Sequence, residues 1–363
     1  LTEFIPGLEL SELYYREAVR PILDRDFPGL LHSAALIGYG SDVLGFDTPV
    51  STDHMWGPRL YLFLEESAHA HLKQPVNDAL RRRLPVQFRG YSTHFGSPDA
   101  IGVRLMVPGQ AGAVDHLIEI CTVPSFFQDY LGYDVRQEIN LPDWLAFSEH
   151  RLLGATAGKV FHDDLDLEAV RRRLAYYPEQ LWRYLLAAQW MKISQEEPFV
   201  GRTGAVGDEL GSGVIAARLV HALMYLAFLL ERRYAPYSKW FGTGFNHLAA
   251  AEELTPMLQS VLYARKWKDR EMALNQACEW AARRHNQLGI TAPMPEQVSN
   301  FHGREYLVIQ AEMFAEAIQA SITDEEVKRL PPYIGSVNQF VDSTDLLESV
   351  PLSKQLRTVY HPA

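Results

Sequence analysis

A chain of 363 residues with 47% hydrophobic and 22% charged residues has the make-up of a soluble globular protein and the length for two domains with their own cores. Its formal net charge of −11 speaks against an extended nucleic acid as main partner, because such partners are met by a basic face. Two cysteines, Cys121 and Cys278, make neither a disulfide framework nor a C-x-x-C zinc pair. No charged-then-apolar leader or apolar run of about 18 residues is read, so the expected setting is the cytoplasm, without a membrane.

In chain order, Leu10, Leu13, Tyr14, Ala18 and Ile22 recur at helical spacing, and Phe27-Pro28-Gly29 ends that helix. Residues 33–38 and 60–66 read as strands, with a helix between Glu66 and Leu84. Residues 86–95, 101–107 and 114–123 read as further strands. In the last of these Asp115, Leu117, Glu119 and Cys121 share one face, and a carboxylate on a buried strand needs a cation or a donor. His69 and His71 stand two apart and do not share a helix face, which argues against a metal pair there. The runs Arg81-Arg82-Arg83 and Arg171-Arg172-Arg173 read as solvated helix faces.

Composition changes around residues 141–149, and from about 165 the periodicity is helical. Stripes at 181–191, 215–230, 273–288 and 307–318 predict a helical bundle. The expected domains are 1–145, 146–322 for the bundle, and a loosely packed tail at 323–363. Asp208 and Glu209 stand at a helix start, where the dipole accounts for them. Glu196 and Glu197 close a helix against its dipole and want another reason, either general-base work or a salt bridge.

The stretch from Leu36 to Leu64 stands out. A short apolar strand enters Gly38-Tyr39-Gly40-Ser41, a loop able to wrap an anion, and Asp53 follows twelve residues after Ser41. A dinucleotide fingerprint fails because the third glycine is Gly45 and no crossover helix fits; a Walker loop fails for want of lysine; a G-x-S-x-G elbow fails at Val43. An ordinary glycine turn between two core strands is the plain alternative.

Gly40, Ser41, Val43 to Asp47, Asp53, His54 and Trp56 to Arg59 resemble the Gly-Ser … Asp-x-Asp pattern of the DNA polymerase β-like nucleotidyltransferase superfamily. More closely, they resemble a bacterial family of the DUF4037 kind. The similarity continues through residues 193–199 and 237–243. It implies an α+β fold: a nucleotidyltransferase-like mixed sheet with flanking helices, followed by an all-α helical bundle. It also implies transfer of a nucleoside monophosphate from an NTP to a hydroxyl or amine of a small molecule or protein. Mg²⁺ (or Mn²⁺) would be held by Asp53 and Glu119. Gly40 and Ser41 are the implied nucleotide-binding turn and Asp53 and Glu119 the implied catalytic residues, with Arg59 as a counter-charge. Beside them Glu197 is the general-base candidate, and Lys239 and Trp240 read either as a phosphate ligand and a stacking ring for the nucleotide or as an interface lysine with an aromatic core neighbour. One departure matters: Asp53 is expected at the start of the next strand, where position 55 shares its face, and the second aspartate of the pair is replaced there by Met55, whose soft, uncharged thioether is no ligand for Mg²⁺. The alternative is therefore a degenerate member that binds a nucleotide or a partner protein as a regulatory module.

Overall fold

The computed structural model describes residues 4–53, 55–100, 102–109 and 112–360, with only the backbone of Asp53. The chain forms two compact units, one of residues Leu1–Glu138 and Arg151–Ala175, the other of Ile139–His150 and Tyr176–Ala363. The first domain was expected to end at 145; instead residues 151–175 return to the first unit, because they bring its fourth strand.

Four strands make the sheet of the first unit: β1 (His32–Leu36), β2 (Arg59–Leu64), β3 (Leu117–Cys121) and β4 (Lys159–Asp163), in the order β3-β2-β1-β4. β1 runs antiparallel to β2 and β4, while β2 and β3 are parallel, so the sheet is mixed. Alternation sets the faces. Ala34, Leu60, Leu62, Leu64, Ile118 and Ile120 join one core with Leu10, Tyr14, Val76 and Leu80 from the helices Gly7–Tyr14 and Glu66–Arg83. On the opposite face Phe126, from the helix Val123–Leu131, packs edge-on against Tyr61 and Phe63. The N-terminal helix widens into a π-helical turn at Tyr15–Val19 and resumes as Arg20–Asp26.

Long strands were expected at 86–95 and 101–107, but the described residues there hold only the two-residue hairpin Gln87–Phe88/Tyr91–Ser92 and a bridge from Phe95 to Met106. Arg104 supplies the physical reason. Its guanidinium donates to the carbonyls of Phe95, Gly96, Asp115 and His116, groups that a sheet ladder would otherwise satisfy.

The second unit is helical. Its main helices are Glu179–Glu196, Glu209–Leu230, Ala251–Tyr263, Trp267–Leu288 and Ala311–Ala320, the third of them not anticipated by an apolar stripe. Trp190 stacks on Phe314 at 4.3 Å between ring centroids, and Trp182 Nε1 donates to Leu229 O at 2.8 Å. The helix Glu209–Leu230 is long and apolar enough by composition to cross a membrane, but 56% of its most apolar window is buried inside the protein, where it serves as a core helix. The expected loose tail is packed instead: Val327, Val337 and Tyr360 are buried, and Gln339 Nε2 donates to Leu185 O and Gln189 Oε1.

Candidate functional site

β1 ends at Leu36, and the chain then needs two left-handed residues to turn: Gly38 at φ 88° and Gly40 at φ 128°. Gly38 N–H is held by Gly154 O at 2.8 Å. Ser41 opens one helical turn, Ser41–Leu44, closed by Gly45. Inside this turn lies a buried ion pair. Asp42 Oδ1 and Oδ2 accept from Arg59 Nη2 and Nε at 2.7 and 3.1 Å, and Arg59 Nη2 also donates to Tyr39 O at 2.6 Å. A side chain on Gly40 would put its Cβ 2.1 Å from Asp42 Oδ1 and 2.3 Å from Arg59 Nη2. The glycine therefore makes room for that pair. Arg59, expected as a counter-charge for phosphates, is buried and bound bidentately by Asp42, and so works inside the protein. Ser41 remains half-buried, with the Tyr39 ring exposed beside it. Downstream, Asp47 Oδ2 ties the loop to the N-terminal helix, accepting from Gly7 N–H at 2.7 Å and Trp56 Nε1 at 2.9 Å.

Asp53 was expected at the head of β2, sharing a face with position 55. The backbone places it at the end of a 3₁₀ turn, Pro49–Asp53, six residues ahead of the strand. Its side chain, and all of His54, lie outside the described residues. Met55 takes a left-handed conformation, φ 44°, so strand alternation does not govern 53 and 55. Glu119, expected in a buried setting, is exposed, because β3 is the edge of the sheet. In the parallel register its partner on β2 is Tyr61, with Arg59 and Phe63 on either side of it on the same face. Burial, and after it the charge of Glu119, raises the Tyr61 phenol, and the same two causes push the Cys121 thiol up to about 12. Asp115 pairs with Arg81 at 2.6 Å, both about half exposed.

The remaining expected residues belong to the second unit. Glu197 is buried and accepts from the N–H groups of Ile309 and Ala311, both at 2.9 Å, so it caps the helix Ala311–Ala320. That supplies the reason for an acid at the end of its own helix, and both its oxygens are committed. Burial outweighs those hydrogen bonds and pushes its carboxyl up to about 7. Glu196 takes Arg218, whose Nε lies 3.0 Å from Oε2. Asp208 caps its helix through Gly211 N–H at 2.7 Å. Lys239 is exposed with its ammonium 5.1 Å from the Trp240 ring centre, and Trp240 lies half-buried against Tyr237 and His150.

Glu196 lines a cleft of the second unit, about 450 Å³, together with Lys192, Arg218, Tyr225, Tyr237 and Asp342 among others, and Lys239 and Trp240 lie in the helix whose Ser238 and Phe241 also line it. Two cations, Lys192 and Arg218, and three acids, Glu196, Asp342 and Glu348, line it, and burial holds the half-buried Lys192 ammonium below its usual value. Behind Tyr225 sits an acid that sequence patterns did not single out. Glu149 is fully enclosed, accepting from the hydroxyls of Tyr177 (3.2 Å) and Tyr225 and from Ala235 N–H (2.9 Å). With no cation among those partners, burial pushes its carboxyl up to about 7. Its partners stand 28 to 86 residues away, so no local pattern marks it.

Residues 144–241 match the family model described as "Domain of unknown function (DUF4037)", which bears out the DUF4037 resemblance over that segment. The segment holds Glu149, Lys192, Glu197, Tyr225 and Lys239; the Gly40–Arg59 stretch precedes it. Among solved structures the chain is similar to a nucleotidyltransferase-like protein from Exiguobacterium sibiricum 255-15. The identity is 12%, over 79% of this chain and 82% of that one, with a TM-score of 0.29. No curated protein matches the chain.

Proposed function

We propose that this chain, with its DUF4037 segment at 144–241, is a nucleotide-binding regulatory module on a nucleotidyltransferase-like plan, working in the cytoplasm. One observation carries the reading. The β2 positions on the side of Glu119 are Arg59, already bound by Asp42, and Tyr61, packed under Phe126. Moving a nucleotidyl group between metal ions requires clustered carboxylate oxygens, and this face offers a guanidinium and a phenol. The residues do not fit a Mg²⁺ pair there.

Binding asks for less. The turn from Gly38 to Ser41 supplies backbone freedom and a hydroxyl, with the exposed Tyr39 ring as a surface for a base or sugar. The cleft of the second unit has the size of a small-molecule site, with both charge signs and aromatic walls, and suits a small zwitterionic ligand or a protein side chain. Nucleotidyl transfer to a hydroxyl or amine is the second reading, favoured by the exposed carboxylate of Glu119 on the strand beside β2.

Titrating the protein with each nucleoside triphosphate in Mg²⁺ or Mn²⁺, while assaying pyrophosphate, separates the two. Saturable binding weakened by Ser41→Ala, with no pyrophosphate above a blank, is the expected result. Pyrophosphate release that disappears in Asp53→Asn would establish the transferase, and no binding of any nucleotide would overturn both.

A further inference from the structure

At the end of β1 remote from the glycine turn, three metal-binding side chains converge. His32 opens β1, His162 lies on β4 and Asp164 follows it, and one ligand atom of each lies within 4.8 Å of the others. The two imidazole rings are 4.5 Å apart between centroids. Ala34 pairs with His162 in the antiparallel register, so His162 shares the face that His32 occupies two residues earlier.

We infer that His32, His162 and Asp164 form a binding site for one divalent transition-metal ion, Zn²⁺ or a congener, which ties β4 to β1.

Three features of the surroundings support it. His32 Nδ1 stands 3.0 Å from Leu30 O, and a carbonyl only accepts, so Nδ1 carries the proton and Nε2 is the ring nitrogen left with a lone pair. That outer hydrogen bond is how proteins orient a ligating imidazole. The sheet bulges between Ala34 and Ala35, leaving Phe161, next to His162, without a register partner; bulges re-aim side chains beside sites. The π-helical turn places the Tyr15 hydroxyl 2.8 Å from His32 Nε2, and such turns gather at functional positions. Two neutral imidazoles and a carboxylate suit Zn²⁺, Co²⁺ or Ni²⁺ over Mg²⁺ or Ca²⁺. Asp164 is exposed and His162 half-buried, which leaves an entry path.

Without metal the same atoms hold one another by hydrogen bonds, which defines what binding must change. His162 Nε2 meets Asp164 Oδ2 at 2.8 Å, while Arg20 Nη1 stands 3.2 Å from His162 Nδ1. Metal on Nε2 moves the imidazole proton to Nδ1, with no net proton lost, and sends Arg20 toward Asp24, already 3.6 Å away. The Tyr15 hydroxyl gives up the His32 lone pair. Tyr15 therefore competes with the ion.

The test uses the full chain, stripped with a chelator and titrated with Co²⁺ by visible absorption and with Zn²⁺ by calorimetry, Mg²⁺ being present throughout. The expected result is saturation at one ion per chain, weakened at least about tenfold by His162→Ala or Asp164→Asn and tightened by Tyr15→Phe. Zn²⁺ should raise the melting temperature of the parent protein and not that of His162→Ala. Asp164→Asn, at an exposed position, carries the comparison if His162→Ala does not fold. A folded parent with no saturable Co²⁺ band, or variants that bind as tightly as the parent, would overturn the inference.

Discussion

Replacing Glu149 by glutamine should stabilise the protein, and increasingly so as pH rises. The carboxyl titrates near 4.5 in an unfolded chain and at about 7 in the enclosed site, where burial is the dominant cause. The folded form thus holds a proton that the unfolded form has released. Stability from this group is full below about pH 4.5 and is lost as pH climbs through 7, the opposite of a salt-bridged acid. At about 1.4 kcal/mol per pH unit of separation, ionisation costs the fold about 3 kcal/mol by pH 8. A glutamine fits the same partners: its oxygen accepts from Ala235 N–H, and its two amide hydrogens point to the oxygens of Tyr177 and Tyr225, which need only rotate their hydroxyls. Urea denaturation of parent and Glu149→Gln at pH 5, 6, 7 and 8 should show near-equal stability at pH 5 and a gap opening to about 2–3 kcal/mol at pH 8. A gap that does not change with pH, or a variant several kcal/mol weaker at every pH, would refute the assignment of burial as the cause.

Arg59→Met should destabilise the first unit by about 3–5 kcal/mol, because it leaves Asp42 as an unpaired buried charge; thermal unfolding checks this, and restoring much of the loss with Asp42→Asn in the same chain would show that the pair is the cause. Glu197→Ala should cost about 2–4 kcal/mol in denaturant titrations, since the amides of Ile309 and Ala311 lose their acceptor at a buried helix start.

The strands β1 and β2 were readable because their cores depend on local alternation: residues 33–38 and 60–66 were expected, and His32–Leu36 and Arg59–Leu64 are found. Four of the five main helices of the second unit were readable for the same reason at period 3.6. What could not be read is partnership over distance. Asp42 sits 17 residues from Arg59, and Glu197 sits 112 from Ile309, so an arginine near a glycine turn looked like a phosphate ligand and a helix cap looked like a base. His32 and Asp164, brought together where β4 returns to the sheet, are 132 residues apart, and no local spacing joins them. Glu119 was misjudged for another reason. Its strand has the apolar pattern of a buried one, but lies at the edge of the sheet, and edge position is a property of topology.

The same topology decides what restoring the missing aspartate would do. Met55 precedes β2 by four residues and holds φ at 44°, a left-handed conformation that aspartate tolerates better than methionine. Met55→Asp should therefore fold at least as well as the parent, with a melting temperature equal or slightly higher. It should not confer pyrophosphate release, because a carboxylate at 55 stands off the strand, while the position in register with Glu119 still carries Tyr61 under the ring of Phe126. If catalysis needed only the second acid of the Asp-x-Asp pattern, this single change would switch it on in Mg²⁺ and NTP. Turnover by Met55→Asp would mean that a carboxylate at 55 serves catalysis without the register position that Tyr61 holds, and the argument from Tyr61 would fall with it.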